Sequence, residues 1–152
     1  MTSPTRTQVF ISYSHRDKQW LERLQVHLKP FVRDGLFDYW DDTRIRSGQK
    51  WQEEIERALA ATKVAVLLIS ADFLASDFIV TQELPHLLDA AESEGATILP
   101  VIIGPSQFES SLLKQFQAAN SPSKPLRSLS KGKQEEVFVK IAQDVRNTIN
   151  PP

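Results

Sequence analysis

The sequence predicts an α/β fold in which helices cover both faces of a parallel β-sheet. Three observations favour this class. Strand-like apolar runs alternate with helix-like periodic segments along the chain. The run Val64–Ile69 is apolar throughout and too short for a globular helix, which is typical of a strand buried on both faces of a parallel sheet. The length of 152 residues and the apolar content of 41% suit a single compact domain, with a core over about residues 8–149.

The elements before this run are a strand, a helix, a second strand and a second helix. Residues 8–13 form a β-rich run that ends in hydroxyl groups, and Ser14 with Asp17 three residues later predicts a helix N-terminus. We expect that helix to end at Pro30. Leu36–Trp40 is more polar than the later strand candidates, so we place it near a sheet edge. The apolar faces carry Trp20, Leu21, Leu24 and Leu28 in the first helix and Trp51, Ile55, Ala58 and Leu59 in the second.

The segment after Val64–Ile69 contains the best candidate for chemistry. It begins with polar residues 70–77 and continues as an apolar-periodic segment with one acidic side chain, Glu83, two residues before Pro85. Proline inside a helix removes a hydrogen bond and costs about 3 kcal/mol, so we expect the helix to bend, break or begin near Glu83. Because ligands bind at the carboxyl ends of strands in open α/β sheets, Glu83 is expected to lie near that crevice.

The rest of the chain is predicted to add two strands and a final helix. Residues 97–103 indicate a buried strand, although Pro100 cannot donate to a central ladder. A short helix around 108–116 and a weak strand at 125–128 follow, and a helix over 134–149 completes the pattern. Five strands alternating with helices indicate a flavodoxin-like three-layer sandwich, with a five-stranded parallel sheet of order 2-1-3-4-5.

Composition narrows the classes of function. The formal net charge of −1 gives no electrostatic reason to expect nucleic acid binding, and the absence of cysteine excludes disulfides and thiolate metal ligands. The chain has no apolar run long enough to span a membrane and no signal-peptide pattern at residues 1–8, so we expect a cytoplasmic location and no membrane partner. No metal site is expected, because the histidines lie far apart in sequence, at His15, His27 and His86.

The sequence lacks the residues that several known activities of flavodoxin-like domains require. A phosphoacceptor receiver needs an acidic pair after the first strand and an aspartate at the end of the third, where this chain has Tyr13–His15 and Ile69–Ser70. The chain has neither the phosphate loop of a flavodoxin nor a GxGxxG or P-loop motif. These activities are therefore not expected.

Four short motifs occur in order and at sensible spacing. They are the first-strand run Phe10–Ser14, the acidic strand end Tyr39–Asp42, the glycine-containing loop Arg44–Gly48, and Leu67–Ser70 followed by Glu83. In combination they strongly resemble a Toll/interleukin-1 receptor (TIR) domain, most closely its bacterial members, over most of the chain. The resemblance implies either a module that only assembles or an enzyme that cleaves NAD⁺ at the nicotinamide–ribose bond once assembled.

The enzymatic interpretation depends on Glu83, which matches the essential glutamate in the third helical region of the cleaving members. Nicotinamide leaves as a neutral molecule, so the reaction needs no general acid, and a carboxylate can stabilise oxocarbenium-like charge on the ribose. Loss of such a group should lower the rate on the order of 10²-fold or more. The alternative role of Glu83 is a solvated helix acid.

The resemblance therefore implies an NAD⁺ glycohydrolase or cyclase that takes NAD⁺ as its substrate, needs no cofactor and acts as an effector in bacterial defence. The alternative from a different class is a non-catalytic interaction module, which includes a signalling adaptor or a bacterial mimic of host signalling.

Other matched positions suggest contacts with the substrate. The hydroxyl groups that end the first strand could bond ribose or phosphate, although Ser14 could equally be an N-cap. Arg44 suits the pyrophosphate by its charge and fork geometry. Ile79 stands where many cleaving members carry a tryptophan, so an aromatic wall would have to come from Trp40 or Trp51, for which core packing is the alternative. The substrate-binding candidates are Ser12, Tyr13, Ser14, Asp41, Arg44, Gly48, Trp51 and Ile79.

The charged loop 42–50 corresponds to the one that family members use in domain–domain assembly. Its central Ile45 suits insertion into a neighbouring copy, and head-to-tail contacts of that type do not close and can build filaments. We also expect this domain to be the N-terminal part of a longer protein whose sensor lies elsewhere. The candidates for homotypic TIR–TIR assembly are Asp42, Ile45, Arg46 and Ser47.

Overall fold

The computed structural model describes residues 6–41 and 51–151, apart from the side chain of Trp51. The strands are Gln8–Ser12 (β1), Tyr39–Trp40 (β2), Thr62–Ile69 (β3) and Thr97–Ile102 (β4). The helices are Lys18–Arg33 (α1), Trp51–Ala60 (α2), Ala71–Ala75 (α3), Leu84–Ser93 (α4) and Lys131–Ile149 (α5). Single 3₁₀ turns span His15–Asp17, Phe108–Ser110, Leu112–Gln115 and Leu126–Ser128, and a π-helical turn spans Ile79–Glu83.

The central strand of the sheet is β3, in the parallel order β2-β1-β3-β4. Successive side chains of a strand point to opposite faces, so β3 contributes to two apolar clusters. The face that carries Val66 packs with α1 and α5, and the face that carries Leu67 packs with α2, α3 and α4. The structure therefore confirms the α/β class, the helices on both faces and the burial of residues 64–69 on both sides.

The prediction of five strands is wrong, since the sheet has four strands within the described residues. Residues 125–128, predicted as the fifth strand, contain a 3₁₀ turn instead. The Asn120 side chain takes the place of a pairing strand: its Oδ1 accepts the Ile102 N–H at 2.8 Å and its Nδ2 donates to the Ile102 carbonyl at 2.9 Å. The β4 edge is thus partly satisfied without a fifth strand, because an amide side chain offers the same donor and acceptor as a peptide group.

The edge position of β4 also explains Pro100. Ile103 N–H donates to Ile69 of β3, whereas Ile102 N–H points away from β3 toward Asn120. Since N–H groups alternate sides along a strand, the Pro100 nitrogen lies on the outer side, where β3 requires no donor.

Three element boundaries differ from the sequence-based expectations. Pro30 does not end α1, which continues to Arg33 and stops before Gly35, whose positive φ of 78° suits a helix terminus. The second strand shrinks from Leu36–Trp40 to two residues at the sheet edge. The helix expected around 108–116 is two 3₁₀ turns, and the final helix begins at Lys131, where the Ser130 hydroxyl caps it by accepting the Lys133 N–H.

Candidate functional site

The carboxyl ends of the parallel strands bring polar side chains to one edge of the sheet. Ser12 is the last residue of β1, Asp41 follows β2 directly, and Ser70 follows β3 directly. All three side chains are buried. In an open α/β sheet this edge is where ligands bind, so the structure places the candidate residues where the fold class favours a site.

Glu83 reaches this edge from the end of the π-helical turn Ile79–Glu83. The Leu84 N–H donates to the Ile79 carbonyl five residues earlier, instead of to the carbonyl four residues earlier as in an α-helix. Pro85 has no N–H, and its ring crowds the carbonyl four residues before it, which disfavours a continuous α-helix through this point. The structure confirms the expected irregularity beside Glu83, and π turns occur frequently at functional sites.

The Glu83 carboxylate is buried and hydrogen-bonded to β1. The residue is 7% exposed, and the Ser12 hydroxyl donates to Oε1 at 2.5 Å across 71 residues of sequence. Burial of a charged group is unfavourable unless hydrogen bonds compensate for lost water, and bonds to charged groups are the stronger class. Glu83 is therefore not a solvated helix acid, and Ser12 fixes the orientation of its carboxylate.

The two residues after Ser12 take different roles. Tyr13 is buried, and its ring centre lies 5.6 Å from that of His15. Ser14 acts as an N-cap, because its hydroxyl accepts the Arg16 N–H at 3.3 Å at the start of the 3₁₀ turn. Of the three adjacent hydroxyl residues, it is Ser12 that contacts Glu83.

Asp41 is fully buried at the carboxyl end of β2. Its Oδ2 accepts a hydrogen bond from the Gln25 amide of α1 at 2.8 Å. The bond joins the residue that follows β2 to the side chain of a residue in α1.

Ile79 and Trp40 belong to one apolar cluster with Phe10 of β1. Ile79 is buried in that cluster, and the Trp40 ring stacks on Phe10 with the ring centres 5.2 Å apart and the planes 18° apart. Trp40 therefore packs in the core, which was the alternative to a role as an aromatic wall for the substrate.

The remaining sequence-based candidates lie outside the described residues or side chains. Trp51 is the first residue of α2, and its side chain is not described. The others outside the described residues are Asp42, Arg44, Ile45, Arg46, Ser47 and Gly48.

A second buried polar group at the same edge was missed by sequence reasoning. Asp17 is fully buried, accepts the Ser70 hydroxyl at 2.5 Å and lies 3.4 Å from a nitrogen of the Arg127 guanidinium. The sequence explained Asp17 as a capping acid of the first turn, and that local explanation concealed a contact across 53 residues. The only sequence feature that could have suggested it is a serine directly after the most buried strand.

No three histidine, aspartate or glutamate side chains in residues 6–41 and 51–151 are placed to hold a metal ion. None of the helices there combines the length and apolar character needed to cross a membrane.

Comparisons with known proteins agree with these observations. The family model described as TIR domain matches residues 9–132. An uncharacterized protein of Sinorhizobium fredii, y4lF, is 28% identical over 138 residues, which cover 91% of this chain and 42% of that protein, so the chain spans less than half of the length of this relative. The TIR domains in the activated Roq1 resistosome, a structure described as directly recognizing the pathogen effector XopQ, match with a TM-score of 0.56 and 19% identity, over 96% of this chain and 85% of that one.

Proposed function

Because this chain belongs to the TIR domain family, we propose that it cleaves NAD⁺ at the nicotinamide–ribose bond, as a glycohydrolase or cyclase with Glu83 as its catalytic residue. The observation that carries the proposal is a buried carboxylate, oriented by Ser12, at the ligand-binding edge of the sheet. NAD⁺ is the substrate, and the reaction needs no added cofactor.

The local environment of Glu83 suits the charge that develops in this reaction. As neutral nicotinamide departs, positive charge builds on the ribose, and an anion held beside it lowers the energy of the transition state. The charge of a carboxylate acts more strongly in a buried site than in water. Ser12 holds the group in place before the reaction, so little reorganisation is needed when the charge appears.

Bond cleavage leaves an electrophilic anomeric carbon that two nucleophiles could attack. Water gives linear ADP-ribose in a glycohydrolase, and an adenine nitrogen of the same ADP-ribosyl unit, attacking the carbon that nicotinamide has left, gives a ring in a cyclase. Both outcomes need the same carboxylate, so the assignment of Glu83 does not depend on the product.

Other residues are proposed to hold the remainder of NAD⁺. The Ser12 oxygen retains lone pairs after donating to Glu83 and could accept a ribose hydroxyl. Asp41 could hold a second ribose hydroxyl or position the loop 42–50, as its bond to Gln25 suggests. The residues further proposed for substrate contact are Tyr13, Ser14, Arg44, Gly48, Trp51 and Ile79.

Self-association is proposed as the switch for this activity. The candidate loop residues Asp42, Ile45, Arg46 and Ser47 would contact a neighbouring copy, in an arrangement that can extend into a filament. The relative from Sinorhizobium fredii is more than twice as long as the matched region, which leaves room for a sensor domain in a longer protein of this type. The role proposed for such a protein is that of a cytoplasmic effector of bacterial defence.

One observation favours the alternative of a non-catalytic interaction module. Ile79 is buried in the core where many NAD⁺-cleaving members carry a tryptophan, so aromatic stacking on nicotinamide is absent at that position. An adaptor would need only the assembly surface and the fold.

Nicotinamide release from NAD⁺, measured by chromatography over a series of protein concentrations, separates the two functions. We expect release per protein molecule to rise with concentration and Glu83→Gln, a nearly isosteric change, to lower it on the order of 10²-fold or more. Glu92→Gln is the matched control, because Glu92 is an exposed acid on the adjoining α4 helix. It should leave release unchanged.

Two results would contradict the proposal. Equal release by the wild-type and Glu83→Gln proteins would remove the catalytic role from Glu83. No release at high concentration with a crowding agent present would favour the interaction module.

A further inference from the structure

Asp17 is a buried carboxylate for which the proposed chemistry has no direct use. It accepts hydrogen bonds from the Ser70 hydroxyl and from Arg127, whose side chain is 53% exposed. Replacement of buried ionic groups by apolar side chains is often neutral or stabilising. Stability alone therefore does not explain a carboxylate at this position.

Ser70 connects Asp17 to the start of α3. Its hydroxyl hydrogen goes to Asp17 at 2.5 Å, and its oxygen accepts the Phe73 N–H at 3.0 Å as the N-cap. A helix of five residues such as α3 is not stable by itself. Its position is consequently set by the cap and by Phe73, which is fully buried beneath it.

The segment Ser70–Glu83 is thus held at both of its ends by residues of one short region of the chain. At its beginning Ser70 donates to Asp17, and at its end Glu83 accepts from Ser12. Ser12 and Asp17 both belong to the end of β1 and the turn that follows it. Between them, α3 ends with its C-cap Ser76, whose hydroxyl accepts the N–H of Ile79, the first residue of the π turn, at 3.3 Å.

We propose that Asp17 is a positioning residue for Glu83. Its carboxylate fixes the Ser70 hydroxyl, the hydroxyl fixes α3, and α3 sets the start of the π turn from which Glu83 meets Ser12. The catalytic consequence rests on the proposed NAD⁺ cleavage, whereas the structural consequence for residues 71–83 does not.

The kinetic test compares nicotinamide release by variants of the 152-residue chain. Asp17→Asn and Ser70→Ala should each lower kcat about 10²-fold, the size of effect that a displacement near 1 Å produces, and KM should change less than about threefold. Ser70→Thr retains the hydroxyl and should recover most of kcat. Ser130→Ala is the matched control, because Ser130 caps α5 in the same way and has no contact with Asp17 or Glu83.

The second test, hydrogen–deuterium exchange, does not require activity. Asp17→Asn and Ser70→Ala should accelerate exchange of the amides in residues 71–83 and leave α5 unchanged, whereas Ser130→Ala should accelerate exchange only near the start of α5. If the wild-type protein releases no nicotinamide, the proposed function fails, and this pattern still supports the positioning role.

The positioning role is overturned by two results. One is exchange in residues 71–83 that is unaltered by Asp17→Asn. The other is an equal loss of kcat in Asp17→Asn and Ser130→Ala with faster exchange throughout the chain, which would make Asp17 a contributor to global stability only.

Discussion

Two regions of this domain use carboxylates to join distant parts of the chain, in opposite environments. At the carboxyl edge of the sheet, Glu83 meets Ser12 across 71 residues and is 7% exposed. On the outer face of α1 and α5, Glu135 accepts two hydrogen bonds from the Arg23 guanidinium across 112 residues, and its side chain is 28% exposed. The first carboxylate relies on protein hydrogen bonds, whereas the second can exchange its partner for water.

The difference separates a carboxylate that depends on protein donors from one that water can also solvate. A buried carboxylate that loses a hydrogen-bond donor gains no water in its place, so each protein donor matters to its local structure. A partly exposed ion pair contributes little to stability and tolerates substitution. Glu83 is buried at the carboxyl edge of the sheet, which is unfavourable for a charged group, whereas Glu135 on the α1–α5 face stays partly exposed. The catalytic role that we propose for Glu83 would explain why a carboxylate is buried there.

The largest effect is expected for Ser12→Ala. It removes one hydrogen-bond donor, 2.5 Å away, from the buried Glu83 carboxylate, and the free energy of unfolding should fall by about 1–3 kcal/mol. Urea denaturation at pH 7 measures the change. Ser123→Ala is the control, because Ser123 is exposed and its hydroxyl contacts only a neighbouring serine, so its effect should stay within about 0.5 kcal/mol. If both substitutions lowered the free energy of unfolding equally, burial of the hydrogen bond would not be what makes Ser12 important for stability.

An intermediate effect is expected for Gln25→Ala. Gln25 lies on α1 as Arg23 does, but it donates to the buried Asp41 at 2.8 Å instead of to an exposed acid. Loss of that bond should lower the free energy of unfolding by about 1 kcal/mol in the same denaturation experiment. Gln25→Glu should destabilise further at pH 7, because a second carboxylate would face Asp41, and acidification should relieve the difference. Full stability of Gln25→Glu at pH 7 would show that Asp41 does not depend on this neighbour.

Structural features that produce a periodic pattern or a local signal in the sequence are predicted well. The apolar run 64–69 identified the central strand, and Pro85 located the helix irregularity beside Glu83. The order of the first four strands is also as expected. These features depend on side-chain alternation and on proline geometry, which act within a few residues.

The features that the sequence did not predict depend on single polar side chains that contact a residue elsewhere in the chain. Asn120 completes the β4 edge where a fifth strand was expected, although nothing near position 120 resembles a strand. The bond between Asp17 and Ser70 joins two residues that each have a sufficient local explanation as helix-capping groups. A contact between two single polar residues produces no periodic pattern in the sequence. Without such a pattern, one sequence does not indicate which two residues are in contact.

The smallest effect is expected on the α1–α5 face, where Glu135→Gln removes the acid bound by Arg23. The hydrogen bonds from Arg23 are the main cause that lowers the pKa of Glu135 to about 2, and His27, 3.4 Å away, adds to it. The folded pKa lies below the ordinary value of 4.5, so the stabilisation is complete above pH 4.5 and is lost as the pH falls toward 2.

The wild-type and Glu135→Gln proteins should therefore differ slightly in urea midpoint at pH 7, by less than either buried-site variant, and the difference should shrink in high salt and vanish near pH 2. An NMR titration of the Glu135 side-chain carboxyl provides the direct measurement. An ordinary pKa there would mean that Arg23 does not hold the Glu135 carboxylate in solution. An effect of Glu135→Gln as large as that of Ser12→Ala would mean that burial does not distinguish the carboxyl edge of the sheet from the α1–α5 face.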